Sequence, residues 1–229
     1  MTAVTFDFGQ TLCELDYDFL MRRLAGRGVD LDAVTARAAS AAAWNVYGAK
    51  KDEGHAAAWR GMIEALLGSG GVAAERVSEL GAWLWDEQPR QNLWRRPIRG
   101  MIELVRELRA AGVPVGIISN SEGRLSELVA DLEWSADFEV IVDSGRLGID
   151  KPDPRIFQHA CAALGIASTE LVHVGDAWEA DVQGALGVSA SAIWFDESHR
   201  SRELPERVSG AKSAMEARAA LVRHRLLPA

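Results

Sequence analysis

Several features that would place a chain in a common class are missing here. No apolar run approaches the ~20 residues needed to cross a bilayer, so a membrane partner is not expected. Cysteine occurs only twice, at Cys13 and Cys161. With no Cys-x-x-Cys pair and no ligand histidine beside either, a zinc site has no support. Reduced thiols in a cytoplasmic protein are the expectation. Lys and Arg number 25 against 33 Asp and Glu, a net charge of -8. Nucleic-acid backbones require a clustered basic surface, so that partner is not expected either. Arg90, Arg95, Arg96 and Arg99 do gather, and read as a solvated helix end. Neither Gly-x-x-x-x-Gly-Lys nor Gly-x-Gly-x-x-Gly occurs, which leaves a bound nucleotide cofactor without support. The start, MTAVTFDFG, has no basic stretch before an apolar one and reads as a first strand rather than a signal peptide.

What is present is a strand, a helical stretch, and then a strand–helix alternation. Ala3 to Phe8 runs apolar and ends in a turn at Gly9-Gln10. From Asp16 to about Trp94 the apolar residues recur at helical spacing, as in Trp59, Ile63, Leu66 and Leu67. About four helices and no strand are expected there. Beyond Pro97 the pattern predicts a helix at Met101–Ala110 closed by Gly112, a strand at Val113–Ile118 and a helix at Leu125–Leu132. A strand at Phe138–Val142 follows, then a helix from Asp153-Pro154 through Leu164. Last come a strand at Leu171–Val174, a short helix over Asp181–Leu186, a final strand at Ala190–Phe195 and a helical tail over Ala211–Leu227. Such alternation predicts an α/β fold, a Rossmann-like parallel sheet core with an inserted α-helical cap domain. The core is expected to comprise residues 1–15 and 96–229, and the cap 16–95.

Parallel sheets bind ligands beyond the C-terminal ends of their strands. The first strand is followed by Asp7, Gly9 and Thr11, the second by Ser119 and Asn120. Lys151 lies in a later loop, and Asp176 and Asp181 follow Leu171–Val174. Carboxylates meeting at one edge repel unless a cation lies between them. Mg²⁺ fits, because it takes oxygen ligands and few carboxylates. A carboxylate can also act as a nucleophile, forming an acyl phosphate. Thr11, Ser119, Asn120 and Lys151 are donors suited to phosphoryl oxygens.

Four segments, taken in order, resemble the motifs of the haloacid dehalogenase (HAD) superfamily. They are Phe6-Asp7-Phe8-Gly9-Gln10-Thr11-Leu12, Ile118-Ser119-Asn120, Lys151-Pro152-Asp153-Pro154, and Val174-Gly175-Asp176 through Asp181. The resemblance covers nearly the whole chain, and residues 16–95 match the cap inserted between the first two motifs. It implies a Mg²⁺-dependent hydrolase acting on a small phosphorylated molecule, with Asp7 as nucleophile. The metal would be held by Asp7, Asp176 and the main-chain carbonyl of Gly9, with Asp181 orienting the ligands from behind. Thr11, Ser119, Asn120 and Lys151 would bind the transferring group. It also implies a cap that opens about hinges near Leu12–Asp16 and Trp94–Pro97.

One position departs from the pattern. Phosphatases of the superfamily carry a second Asp two residues after the nucleophile, as proton donor to the leaving group; here it is Gly9. General acid–base help is worth about 10²–10⁴-fold. Acyl phosphates and esters of acidic alcohols are therefore the expected better substrates, unless Gly9 is required by a backbone only glycine tolerates. Three alternatives go with the gap: a metal-free 2-haloacid dehalogenase, a phosphonatase using cap Lys50 or Lys51, and a non-catalytic phosphate-binding protein. Gly175-Asp176 favours the metal. Among the histidines, His55 in the cap is the candidate replacement acid. His173 is expected simply to pack, His159 to be structural, and His199 and His224 to be exposed. Trp178 is expected near the pocket mouth.

Overall fold

The computed structural model describes residues 2–50, 53–196 and 203–228. Lys51 and His199 lie outside them. The chain divides into two compact units, Met1–Leu15 with Trp94–Ala229, and Asp16–Leu93. Among the described residues no helix is long and apolar enough to cross a membrane.

The first unit is built on six parallel strands in the order β5-β4-β1-β6-β7-β8. These are β1 (Ala3–Phe6), β4 (Val115–Ser119), β5 (Val140–Asp143), β6 (Leu171–Gly175), β7 (Ser191–Phe195) and β8 (Val208–Ala211). Every residue of β1, β4 and β6 is buried, as expected when helices cover both faces. The connecting helices are α6 (Met101–Ala110), α7 (Leu125–Asp131), α8 (Ser144–Leu147), α9 (Pro154–Leu164), α10 (Gly184–Gly187) and α11 (Ala214–Arg223). The chain builds outward from β1 through β4 to β5, then returns to β1's other side for β6, β7 and β8. That reversal makes the C-terminal end of β1 the switch point where a crevice opens.

Two features depart from the expected elements. β7 is not the last strand: Val208–Ala211 adds β8, pairing Ala192 with Val208 and Phe195 with Ala211. The tail helix accordingly starts at Ala214, where the Ser213 side chain accepts the Glu216 N–H as N-cap. Second, Trp94–Pro97 is a strand, β3, antiparallel to β2 (Cys13–Leu15). Arg95 and Arg96 thus lie on this ribbon and not at a helix end, and Arg96 pairs with Glu14 at 3.1 Å. The two segments expected as hinges are these hydrogen-bonded partners.

Among the described residues the second unit has five α-helices where about four were expected: α1 (Tyr17–Ala25), α2 (Ala33–Ala38), α3 (Ser40–Lys50), α4 (His55–Ser69) and α5 (Ala74–Glu87). The alanine-rich stretch splits at Ala39, which caps α2. Asp16 and Asp32 cap α1 and α2 through their carboxylates. Trp59, Ile63, Leu66 and Leu67 of α4 and Leu80 and Leu84 of α5 are buried. The stem of Lys50 lies close over Gly61. His55 bonds the Tyr47 hydroxyl through Nδ1 at 3.0 Å and meets Trp85 edge-on.

Candidate active site

β1 releases the chain at Asp7, whose N–H still donates to Val174 O of β6 at 2.8 Å. The next strand end on one side is Ser119, buried, and on the other Gly175, followed by Asp176. Lys151 reaches in from the loop before α9. Its ammonium donates to Asp7 Oδ1 at 2.7 Å, to Asp181 Oδ1 at 2.6 Å and to the Ile118 carbonyl at 2.7 Å. All three donor positions of the ammonium are thereby used, so it is fixed in direction as well as in charge. Asn120 holds the lysine's own backbone: it donates to Lys151 O at 3.1 Å and accepts from Lys151 N at 2.8 Å. Its amide therefore positions Lys151 rather than pointing at a ligand.

Asp181 lies in a π-helical turn, Trp178–Gln183, of the kind found at functional sites. Its Oδ2 accepts from Ala177 N–H at 2.8 Å, and Oδ1 also lies 3.2 Å from His173 Nε2. His173 does more than pack. Thr5 and His173 are register partners on β1 and β6, and the Thr5 hydroxyl is 2.8 Å from His173 Nδ1. A buried column thus runs Thr5, His173, Asp181, Lys151, Asp7. His159 is exposed on α9 and His224 half-buried. Trp178 packs edge-on to Trp194, centroids 4.9 Å apart.

Oxygens of Asp7, Asp176 and Asp181 lie within 4.8 Å of one another. Burial pushes Asp176 well above the usual carboxylate range, and the charges of Asp181 and Asp7 push it further. Burial likewise raises Asp7, against the pull of Lys151. Burial acts on Asp181 too, but Lys151 and His173 outweigh it and hold that carboxyl low. On Lys151 burial is outweighed by Asp181 and Asp7, so the ammonium stays charged. The Thr11 hydroxyl is buried with no hydrogen-bond partner in the protein. An orphan buried hydroxyl costs about 1–3 kcal/mol unless something binds it.

Asp143, at the end of β5, had no signal in the sequence beyond its place at a strand end. It is buried and accepts from Ser121 Oγ and from the N–H groups of Gly123, Leu125 and Gly145, at 2.7 to 3.1 Å. It thereby fixes the loop that follows Ser119 and Asn120.

Gly175 is required by close approach. A Cβ there would fall 2.2 Å from Asp181 Cγ. Gly175→Ala is therefore expected to displace Asp181, cost about 1–3 kcal/mol of stability by overpacking, and lower activity with it. Denaturant midpoints and turnover measure the two effects; an unchanged midpoint would mean the π-helical turn yields freely.

A model of haloacid dehalogenase-like hydrolases matches residues 1–188. The chain belongs to this family. Phosphoserine phosphatase of Thermus thermophilus is 32% identical over 154 residues, 64% of this chain and 60% of that protein. The chain spans only about two-fifths to three-fifths of the length of the curated relatives it matches. Among solved structures, the HAD hydrolase YfnB of Bacillus subtilis, bound to magnesium, aligns with a TM-score of 0.72 at 18% identity, over 96% of this chain and 98% of that one. A 2-haloacid dehalogenase of Pseudomonas syringae aligns at 0.61 and 19% identity, over 98% and 99%. At such identities the likeness shows the HAD fold alone.

Proposed function

We propose that this HAD hydrolase is a Mg²⁺-dependent phosphatase that cleaves a small phosphorylated metabolite through an aspartyl-phosphate at Asp7. The observation that carries the reading is charge: carboxylate oxygens of Asp7, Asp181 and the half-buried Asp176 lie within 4.8 Å of one another, and one lysine pairs with Asp7 and Asp181. Two negative charges are left over, and a divalent cation fits them. Asp181 has both oxygens engaged by Lys151, His173 and Ala177 N–H. Direct ligation then falls to Asp7, Asp176 and the Gly9 carbonyl, with Asp181 orienting. When bound, Mg²⁺ supplies Lewis-acid stabilisation of the transferring phosphoryl oxygens.

The chain's own residues do the rest. Lys151 fixes Asp7 in one orientation, which favours in-line attack on phosphorus. The Asp7–phosphorus bond forms as the ester oxygen leaves, and water then releases phosphate. Thr11, with its orphan buried hydroxyl, and Ser119, at the end of the strand beside β1, would bind the phosphoryl oxygens. The name of the Thermus relative points to phosphate esters. The dehalogenase alternative gives Asp176, set beside Asp7 and Asp181, no cation to bind.

Excess chelator is expected to reduce turnover by at least about 10²-fold, since metal stabilisation is worth several kcal/mol, and added Mg²⁺ to restore it. A panel of phosphorylated metabolites and 2-haloacids, with and without Mg²⁺, decides. Undiminished turnover in chelator would transfer the reading to the dehalogenase.

A further inference from the structure

Gly9 stands two residues beyond the nucleophile, and its backbone does not require glycine: its φ lies outside the left-handed region. The reason for a missing side chain is elsewhere. A Cβ on Gly9 would lie 3.3 Å from Trp94 Cδ1 and 3.5 Å from Trp94 Nε1, the pyrrole edge of the indole. The first is tighter than ordinary carbon–carbon contact. Neither partner can drift far. Gly9 is bridged to Cys13, and Gln10 N–H donates to Cys13 O at 2.7 Å. Trp94 is 8% exposed and paired with Leu15 at the irregular step of the β2–β3 ribbon. The two residues form a matched pair: the indole edge lies against the place of a Cβ at position 9, and any side chain there must push it back by a few tenths of an ångström.

We propose that Trp94 is a specificity-determining residue of the reaction centre. It keeps a carboxyl out of position 9 and sets an aromatic edge there instead. The indole N–H donates a hydrogen bond but has no proton to transfer. The centre therefore selects phosphate compounds whose leaving oxygen departs unprotonated: acyl phosphates and esters of phenols and enols. In the step, Asp7 forms its bond to phosphorus while the bond to the leaving oxygen breaks, and that oxygen departs with the electron pair as carboxylate, phenolate or enolate. Water then attacks the phosphorus of the aspartyl-phosphate; Asp7 regains its carboxylate and both water hydrogens leave with the phosphate. The proposal rests on the phosphatase reading.

The test is a double-substitution cycle on the full chain with Mg²⁺. The kcat/KM values for acetyl phosphate, a graded series of aryl phosphates and a sugar phosphate are compared in wild type, Gly9→Asp, Trp94→Phe, Trp94→Val and the two doubles. Wild type should show a steep dependence on leaving-group pKa. Gly9→Asp alone should lose activity on every substrate, because Trp94 stands in its way. Gly9→Asp with Trp94→Val should flatten the dependence and raise sugar-phosphate turnover by about 10- to 100-fold. The Phe double gives the same reading in smaller measure if the Val double melts below assay temperature. Trp94→Phe alone should stay steep, with raised KM for aryl substrates. A shallow wild-type dependence, or a Gly9→Asp variant as improved as the doubles, overturns the role of Trp94 alone. A wild type that turns over none of these phosphates overturns the phosphatase reading and this proposal with it.

Discussion

Asp7→Asn is expected to abolish turnover, by about 10⁴-fold or more, the order seen when a covalent nucleophile is removed. Asparagine matches aspartate in shape, so Lys151 keeps its bonds to Asp181 and Ile118 O and the site keeps its outline. What disappears is the negative oxygen that attacks phosphorus. Stability should move the other way. Burial raises the Asp7 carboxyl, so the folded chain holds its proton to higher pH than the unfolded chain does. With more protons bound in the folded state, stability falls as pH rises through and above the ordinary carboxylate range. In chelator, Asp7→Asn removes that loss, and its thermal midpoint near neutral pH should equal or exceed wild type. Wild-type rates, with deamidation excluded by mass spectrometry, would refute the nucleophile. A large drop in midpoint in chelator would refute the electrostatic account while leaving the chemistry standing.

The second large effect concerns Lys151. Its ammonium is 2% exposed and is the cation shared by Asp7 and Asp181. Lys151→Met keeps much of the length and removes the charge. Breaking a buried pair leaves unpaired carboxylates and costs about 3–5 kcal/mol. The variant should melt well below wild type in chelator and recover part of the difference in Mg²⁺, which offsets the same charge. Activity should fall at least about 10²-fold, since the fixed orientation of Asp7 is lost. Lys151→Arg should not rescue it, because a planar fork cannot reproduce three converging bonds from one nitrogen. A Met variant that melts like wild type in chelator would mean the carboxylates are protonated in the free protein.

The parts of this fold legible in the sequence are those with strong local signals. β4 and β6 are short β-branched or apolar runs, and Pro154 with Leu164 marks α9 at both ends. Asp7, Ser119, Lys151 and Asp176 could be gathered because each follows a strand or lies in a loop at one edge of a parallel sheet. The ribbon β2–β3 escaped notice for a physical reason. Its strands are three and four residues long, and Trp94-Arg95-Arg96-Pro97 carries charge where a buried strand would carry valine. β8 escaped because Val208-Ser209-Gly210-Ala211 has little β propensity and is held by its neighbour β7. The roles of His173 and Trp94 depend on partners far along the chain, Thr5 and Gly9, that no local pattern announces.

The central position of β1 has a consequence for how this protein is made. β1 leaves the ribosome before the other five strands of its sheet, yet its neighbours β4 and β6 begin at Val115 and Leu171. Until Gly175 is synthesised, a four-residue apolar strand waits with at least one edge open, while the whole of Asp16–Leu93 can already collapse on its own helices. Long-range parallel pairing of this sort is slow, and an open apolar edge is a template for the wrong partner. Nascent chains stalled before Leu171 should therefore bind chaperones or aggregate through β1, and release past Gly175 should end that exposure. The strand that leads to the nucleophile is flanked on both sides only once β6 is made, so a chain that folds only halfway has no assembled reaction centre.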